Sequence, residues 1–303
     1  MAQRPWLSEF KTMVDAGLQA LDDAKSSNDR TKVAQRYMEA FFNLRKDTSS
    51  ADEAFVKNSL LEVKKFLDGT LTLSPTPRLY CNDKWLDKLS RWDVAYEGDS
   101  SKELWENSNP MAIAEVSAYK NRIFLIDEDG DRHELEPYWS EDLDQYLFDD
   151  DYKGKTYCSS QSNLGATQEQ TTPKTITICP KGFTNPNAPV ALGDKEPKGL
   201  EIASILPRSA TLYHELFHLV LGNKNTPDVT FWRRLGEQQE MQESPDTVDK
   251  PRTESRAQRI RRNPETYTWF SVGYWYFLQT KWTTKANQRW TFDTGVAKLV
   301  SIP

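Results

Sequence analysis

Histidine and cysteine are scarce in this chain, with 3 of each among 303 residues. Three cysteines are too few for a disulfide-built scaffold or a cysteine-rich zinc module. Positive charge falls short of negative, with 39 Lys and Arg against 45 Asp and Glu and a net charge of −6. Such a balance lacks the basic excess that neutralises phosphates, which argues against a nucleic-acid partner. No apolar run approaches the roughly 18 residues of a membrane span. The longest aromatic-rich stretch, 269–278, contains Ser271. No Asn-x-Ser/Thr sequon occurs.

What is present fits a folded protein: 28% charged and 12% aromatic residues. The length suits one large domain or two ordinary ones. Apolar residues recur at helical spacing from Trp6 to Phe66, with polar breaks at 26–28 and 48–50. The spacing predicts three antiparallel helices, a helical N-terminal region over 1–69. The rest, 70–303, is expected to be the catalytic domain and begins with a small β region. There 112–119 and 122–126 read as a hairpin around Lys120-Asn121, and 175–179 reads as a further strand. Asp127-Glu128-Asp129-Gly130-Asp131 has the alternation of a calcium loop. It lacks the twelfth-position Glu, because residue 138 is Tyr, so an acidic turn is expected. The acidic stretch 142–151 is expected to be a solvated face.

From 205 onward helical patterning returns. A helix over 211–221 ends at Gly222. Thr226-Pro227-Asp228 reads as a cap, a first-position proline and an acidic first turn of another helix. Residues 239–262 read as a polar loop and a basic segment. Asn263-Pro264-Glu265 opens a helix whose 267–278 portion is apolar all round and therefore expected to be buried. The expected fold is α+β, mainly helical.

The chemistry gathers at 214–218, His-Glu-Leu-Phe-His. On a helix His214 and His218 share one face, so both imidazoles can ligate one metal ion. Glu215 stands within reach of a water at that ion and can act as general base and then acid. A catalytic zinc wants three protein ligands and an open position. His133, the one other histidine, falls in the β region, so a carboxylate is the expected third ligand. The candidates are Asp228, Glu237 and Glu265. Asp228 and Glu265 also suit plain helix N-terminal positions.

The spacing of Glu237 after the motif is similar to that of gluzincins, though Trp232-Arg233-Arg234-Leu235-Gly236-Glu237 carries no gluzincin signature. The motif and its surroundings more strongly resemble the aspzincins, the deuterolysin-like fungal zinc metallopeptidases. Asn225-Thr226-Pro227-Asp228 resembles their Gly-Thr-x-Asp segment. The stretch from Asn263 through Tyr267 to Phe270 resembles their Asn-Ala-x-x-Tyr-x-x-Phe helix. Residues 176–183, with Ile178-Cys179-Pro180, resemble a strand of the family. The likeness spans about 170–280 and leaves 1–68 unaccounted for. It implies a zincin-like fold with an HExxH helix, zinc held by His214, His218 and Asp228, Glu215 as catalytic base, and a peptide or protein substrate engaged by strand addition. There is one departure. The family's tyrosine three residues past the ligand Asp is here Phe231, which cannot donate to an oxyanion. Tyr213, Tyr267 and Tyr274 are the candidate replacements.

The expected function is thus zinc-dependent endopeptidase activity. The alternatives are a zinc enzyme of small-molecule metabolism, with Trp269, Phe270, Tyr274 and Trp275 walling an apolar pocket, or a catalytically weak metal-binding protein. Cys158 and Cys179 flank a polar loop and are candidate disulfide partners, leaving Cys81 over. The first residues lack an apolar signal core, which points to the cytoplasm. The family resemblance implies export, so an extracellular protein is expected.

Overall fold

The N-terminal apolar spacing forms three helices, α1 (Trp6–Lys25), α2 (Thr31–Phe42) and α3 (Ser50–Leu67), in the computed structural model of the protein. The structure describes residues 6–46, 48–97, 102–126, 132–150, 156–159, 163–228 and 256–303. Each helix end has a local cause. Asn43 adopts a left-handed conformation (φ 50°) and closes α2. Ser49 caps α3 by accepting from the Asp52 N–H at 3.2 Å. Asp52 and Glu53 lie in the first turn of α3, and Lys64 and Lys65 in its last, complementing the helix dipole.

The middle of the chain is built from short strands: β1 (Arg78–Tyr80), β2 (Asp87–Lys88), β3 (Trp105–Glu106), β4 (Asn109–Pro110), β5 (Phe124–Ile126), β6 (Arg132–Glu134), β7 (Glu136–Ser140), β8 (Gln145–Asp149), β9 (Gly165–Gln168) and β10 (Thr175–Ile178). β10 lies at the centre of one sheet, parallel to β1 and antiparallel to β9. β7 is central to another, between β2 and β8. Cys158 and Cys179 form a disulfide, with Cα atoms 5.2 Å apart. Cys81 is free and exposed.

Two expectations for this region fail. The 112–119 stretch is not a strand: Ile113–Glu115 is a single 3₁₀ turn, with Ile113 fully buried. β5 pairs instead with β6, Leu125 opposite His133. The apolar alternation at 112–119 reflected loop side chains packing on Trp139 and Tyr146, not a pleated ladder. Nor is 142–151 a solvated face, because β8 places Tyr146, Leu147 and Phe148 in the interior. Residues 127–131 lie outside the described residues.

The remaining elements are α4 (Pro180–Thr184), α5 (Ala210–Leu221), α6 (Arg256–Ile260), α7 (Pro264–Leu278), β11 (Gln288–Thr291) and β12 (Lys298–Ser301). The chain divides into two units. One joins the residues up to Thr72 with Thr184–Pro303, and the other is Leu73–Phe183. The grouping differs from a boundary at 69/70, because α1–α3 have their partners late in the sequence. The buried α7 is that partner: Phe270 meets Phe42 edge-on at 4.9 Å, and Tyr274 meets Tyr37 at 5.3 Å. Gly17 lets α1 approach closely, since a Cβ there would lie 2.8 Å from Ser271 Oγ. No helix among the described residues is long and apolar enough to cross a membrane.

Candidate metal centre

α5 carries His214, Glu215 and His218, all buried. Its apolar faces explain why a helix with three such polar groups sits in the interior. Phe217 stacks on Tyr267 of α7 at 4.7 Å, and Tyr213 stacks on Phe10 of α1 at 6.2 Å. The helix stops at Gly222, whose φ of 88° suits a residue without a Cβ. The chain then turns back along the helix end toward Asp228.

That turn is held from two sides. Thr226 Oγ1 donates to Gly222 O at 2.9 Å. Arg262, just before α7, donates from Nε to Asn225 O at 2.9 Å and from its terminal nitrogen to Lys224 O. The result is a near-equilateral triangle of ligand atoms. His214 Nε2 and His218 Nε2 are 3.1 Å apart, and Asp228 Oδ1 is 3.1 Å from the first and 3.2 Å from the second. Ligands about 2.0 Å from a tetrahedral zinc stand about 3.3 Å apart, so the triangle has the size of one face of such a site.

The outer ring nitrogens fix the tautomers. Thr226 already donates its proton to Gly222 O, so it accepts from His218 Nδ1 at 3.2 Å. Glu265 Oε1 accepts from Trp269 Nε1 at 2.8 Å, and Oε2 accepts from His214 Nδ1 at 3.3 Å. With both Nδ1–H groups turned outward, each neutral imidazole aims its Nε2 lone pair at the other and at a carboxylate oxygen. Three converging lone pairs call for a cation or a proton, and the donor set suits a borderline divalent metal. The electrostatics agree. Burial favours neutral His214, but Asp228 and Glu265 outweigh it and hold its pKa well above the ordinary value. Burial pushes the Asp228 carboxyl up, and the two histidines hold it far below the usual carboxylate range. Among the described residues, His214, His218 and Asp228 are the group placed to hold a metal ion.

The other candidates fall elsewhere. His133 lies in exposed β6 of the Leu73–Phe183 unit. Glu265 is the outer partner of His214. Glu237 and Phe231 lie outside the described residues. The three tyrosines are core residues with engaged hydroxyls: Tyr213 with Ser271 Oγ at 3.2 Å, Tyr267 donating to Arg261 O at 2.5 Å, and Tyr274 donating to Asp23 Oδ2 at 2.6 Å. Trp269, Phe270 and Tyr274 are likewise buried in the core, and Trp275 is half-buried. Thr226 was expected to cap a following helix, but its hydroxyl points back to α5 and serves His218. No spacing rule finds that role, because it arises from a contact between separate elements; Trp269, by contrast, stands four residues after Glu265 on α7 and holds it as an ordinary i,i+4 neighbour.

No protein-family model, curated protein or solved structure matches this chain.

Proposed function

We propose that the chain is a zinc-dependent metallopeptidase of aspzincin-like, zincin-type construction. The observation that carries the reading is the triangle of His214 Nε2, His218 Nε2 and Asp228 Oδ1, with both histidines oriented from behind by Glu265 and Thr226. His214, His218 and Asp228 would hold a zinc ion, which would supply Lewis acidity toward a carbonyl and a water near neutral pH. Glu215, buried beside His214 on the same helix, takes the proton of the attacking water and delivers it to the leaving amine. Glu265 and Thr226 keep the imidazoles in the ligating tautomer.

A second reading, a zinc enzyme acting on small molecules or a weak catalyst on the same scaffold, draws on the engaged hydroxyls of Tyr213, Tyr267 and Tyr274. None of them stands ready to replace the donor lost at Phe231. The Cys158–Cys179 bridge supports an oxidising, extracellular setting over a cytoplasmic one.

The test is casein hydrolysis with paired metal analysis. Wild type is expected to carry zinc and to lose cleavage on chelation. Glu215→Gln should retain the zinc and lose cleavage. Zinc binding without cleavage in wild type would favour the second reading, and an active Glu215→Gln variant would overturn both assignments of Glu215.

A further inference from the structure

Each histidine of the proposed zinc triangle has a partner behind it, Glu265 for His214 and Thr226 for His218. Burial holds both rings as well, with 6% and 7% of their side-chain surface exposed. Asp228 is held differently. Its side chain is 39% exposed, and the polar partners of its carboxylate among the described residues are the two histidines themselves. A carboxylate so lightly packed is placed by the chain that carries it. If that chain is loose, ordering it on binding costs affinity.

The chain leaves α5 at Gly222 and doubles back. As far as Thr226 the turn is bonded to the end of α5. The Asn225 and Thr226 N–H groups donate to Gly222 O at 2.9 and 3.0 Å, and Asn225 Nδ2 donates to Leu221 O at 2.8 Å. These bonds close the turn on the helix it leaves and tie it to no other element. Arg262 supplies a hold from outside. Its Nε donates to Asn225 O at 2.9 Å, and a terminal nitrogen donates to Lys224 O. Two N–H groups of one rigid fork on successive carbonyls fix both the position and the direction of the turn, which a single donor cannot do.

Arg262 can do this because its own backbone is anchored. Its N–H donates to Arg259 O at 3.0 Å. The neighbouring Arg261 is buried, donates to Phe42 O at 2.9 Å and pairs with Asp52 at 2.7 Å. Tyr267 of α7 donates to Arg261 O at 2.5 Å. The Arg262 fork therefore reaches out from a framework that joins α2, α3 and α7. We propose that Arg262 is the positioning residue for Asp228, setting the third ligand against the two histidines before an ion arrives. The proposal rests on the zinc reading of the triangle. It carries a sign of its own. A guanidinium in the neighbourhood of a cation site repels the cation, so losing its charge alone would tighten zinc. Losing its hold on the turn weakens zinc.

Zinc affinity of the full chain, measured by competition against a chromophoric chelator, tests this. Arg262→Gln should lower it about tenfold, the lower end of the effect of a partner behind a ligand. Arg262→Lys keeps the charge, loses the paired donors, and should lose nearly as much. A role in folding alone would not depend on Asp228, so the two positions are combined in a double-mutant cycle. Copper(II) is the probe for the cycle, because its higher affinity for imidazole keeps the two-histidine site of Asp228→Ala measurable. Arg262→Gln should weaken copper when Asp228 is present and should not weaken it in Asp228→Ala. Unfolding curves without metal show that each variant is folded, and Arg262→Lys takes the place of Arg262→Gln if that variant is not. Unchanged or tighter zinc binding in a folded Arg262 variant, or an equal loss of copper with and without Asp228, would overturn the proposal alone. A wild type that binds no zinc, or an Asp228→Ala variant with undiminished zinc affinity, would overturn the zinc reading and the proposal with it.

Discussion

Glu265 and His214 are 51 positions apart in sequence, yet Glu265 Oε2 lies 3.3 Å from His214 Nδ1. The contact joins the first turn of the buried aromatic helix to the helix that carries both histidines. It makes Glu265 an orienting carboxylate behind His214, with Trp269 holding its other oxygen.

If the proposed zinc site is right, removing that carboxylate should loosen the ion without abolishing the site. Glu265→Ala is expected to lower zinc affinity about 10- to 100-fold, and Thr226→Val to act similarly through His218. Competition against a chromophoric chelator measures both. Asp228→Ala should remove zinc at stoichiometric concentrations, whereas Glu237→Ala should leave it. The opposite pattern would transfer the third-ligand role to Glu237.

The N-terminal helices should be inseparable from the helices that carry His214, His218 and Glu265. Arg261, just ahead of α7, donates to Phe42 O at 2.9 Å and pairs with Asp52 of α3 at 2.7 Å. Asp52→Ala leaves a buried guanidinium short of its anion and should cost about 3 kcal/mol, read as a lower urea midpoint. Deleting the residues before Thr72 would expose Tyr267, Phe270 and Tyr274 and should yield no cooperatively folded product.

Asp149 should make stability fall as pH rises. Burial pushes its carboxyl from 3.8 up to about 6, against hydrogen bonds from the Asp150 N–H and Gln168. Between those values the folded state holds a proton that the unfolded state has lost, so the penalty is absent below about pH 4 and complete above about pH 6. Asp149→Asn should therefore stabilise the protein by up to ~3 kcal/mol at pH 7.5 and have little effect at pH 4. Thermal unfolding at the two pH values decides it, and an equal shift at both would refute the assignment.

The Cys158–Cys179 bridge closes a loop spanning 21 positions. Replacing both by Ser should cost about 3 kcal/mol by loop-closure entropy. Thermal unfolding with and without reductant should show the loss in wild type and none in the double variant.

The sequence by itself determined what local periodicity and spacing control. α1, α2, α3 and α5 lie where apolar residues recur every three to four positions and α7 where they run almost unbroken, and Ser49, Gly222 and Pro264 mark helix ends. The pairing of His214 with His218 follows from one turn of helix. Strands proved less legible, because a pleated ladder depends on a partner distant in sequence. Thus 112–119 had the alternation without a partner, while Tyr146, Leu147 and Phe148 were hidden among acids. Only the tertiary structure decided that Asp228 completes the triangle, that Glu265 and Thr226 stand behind the histidines, and that Tyr213, Tyr267 and Tyr274 belong to the core. Those are contacts between α5, α7 and the turn after Gly222. Their geometry is set by how aromatic side chains pack helices together, which no spacing along the chain encodes.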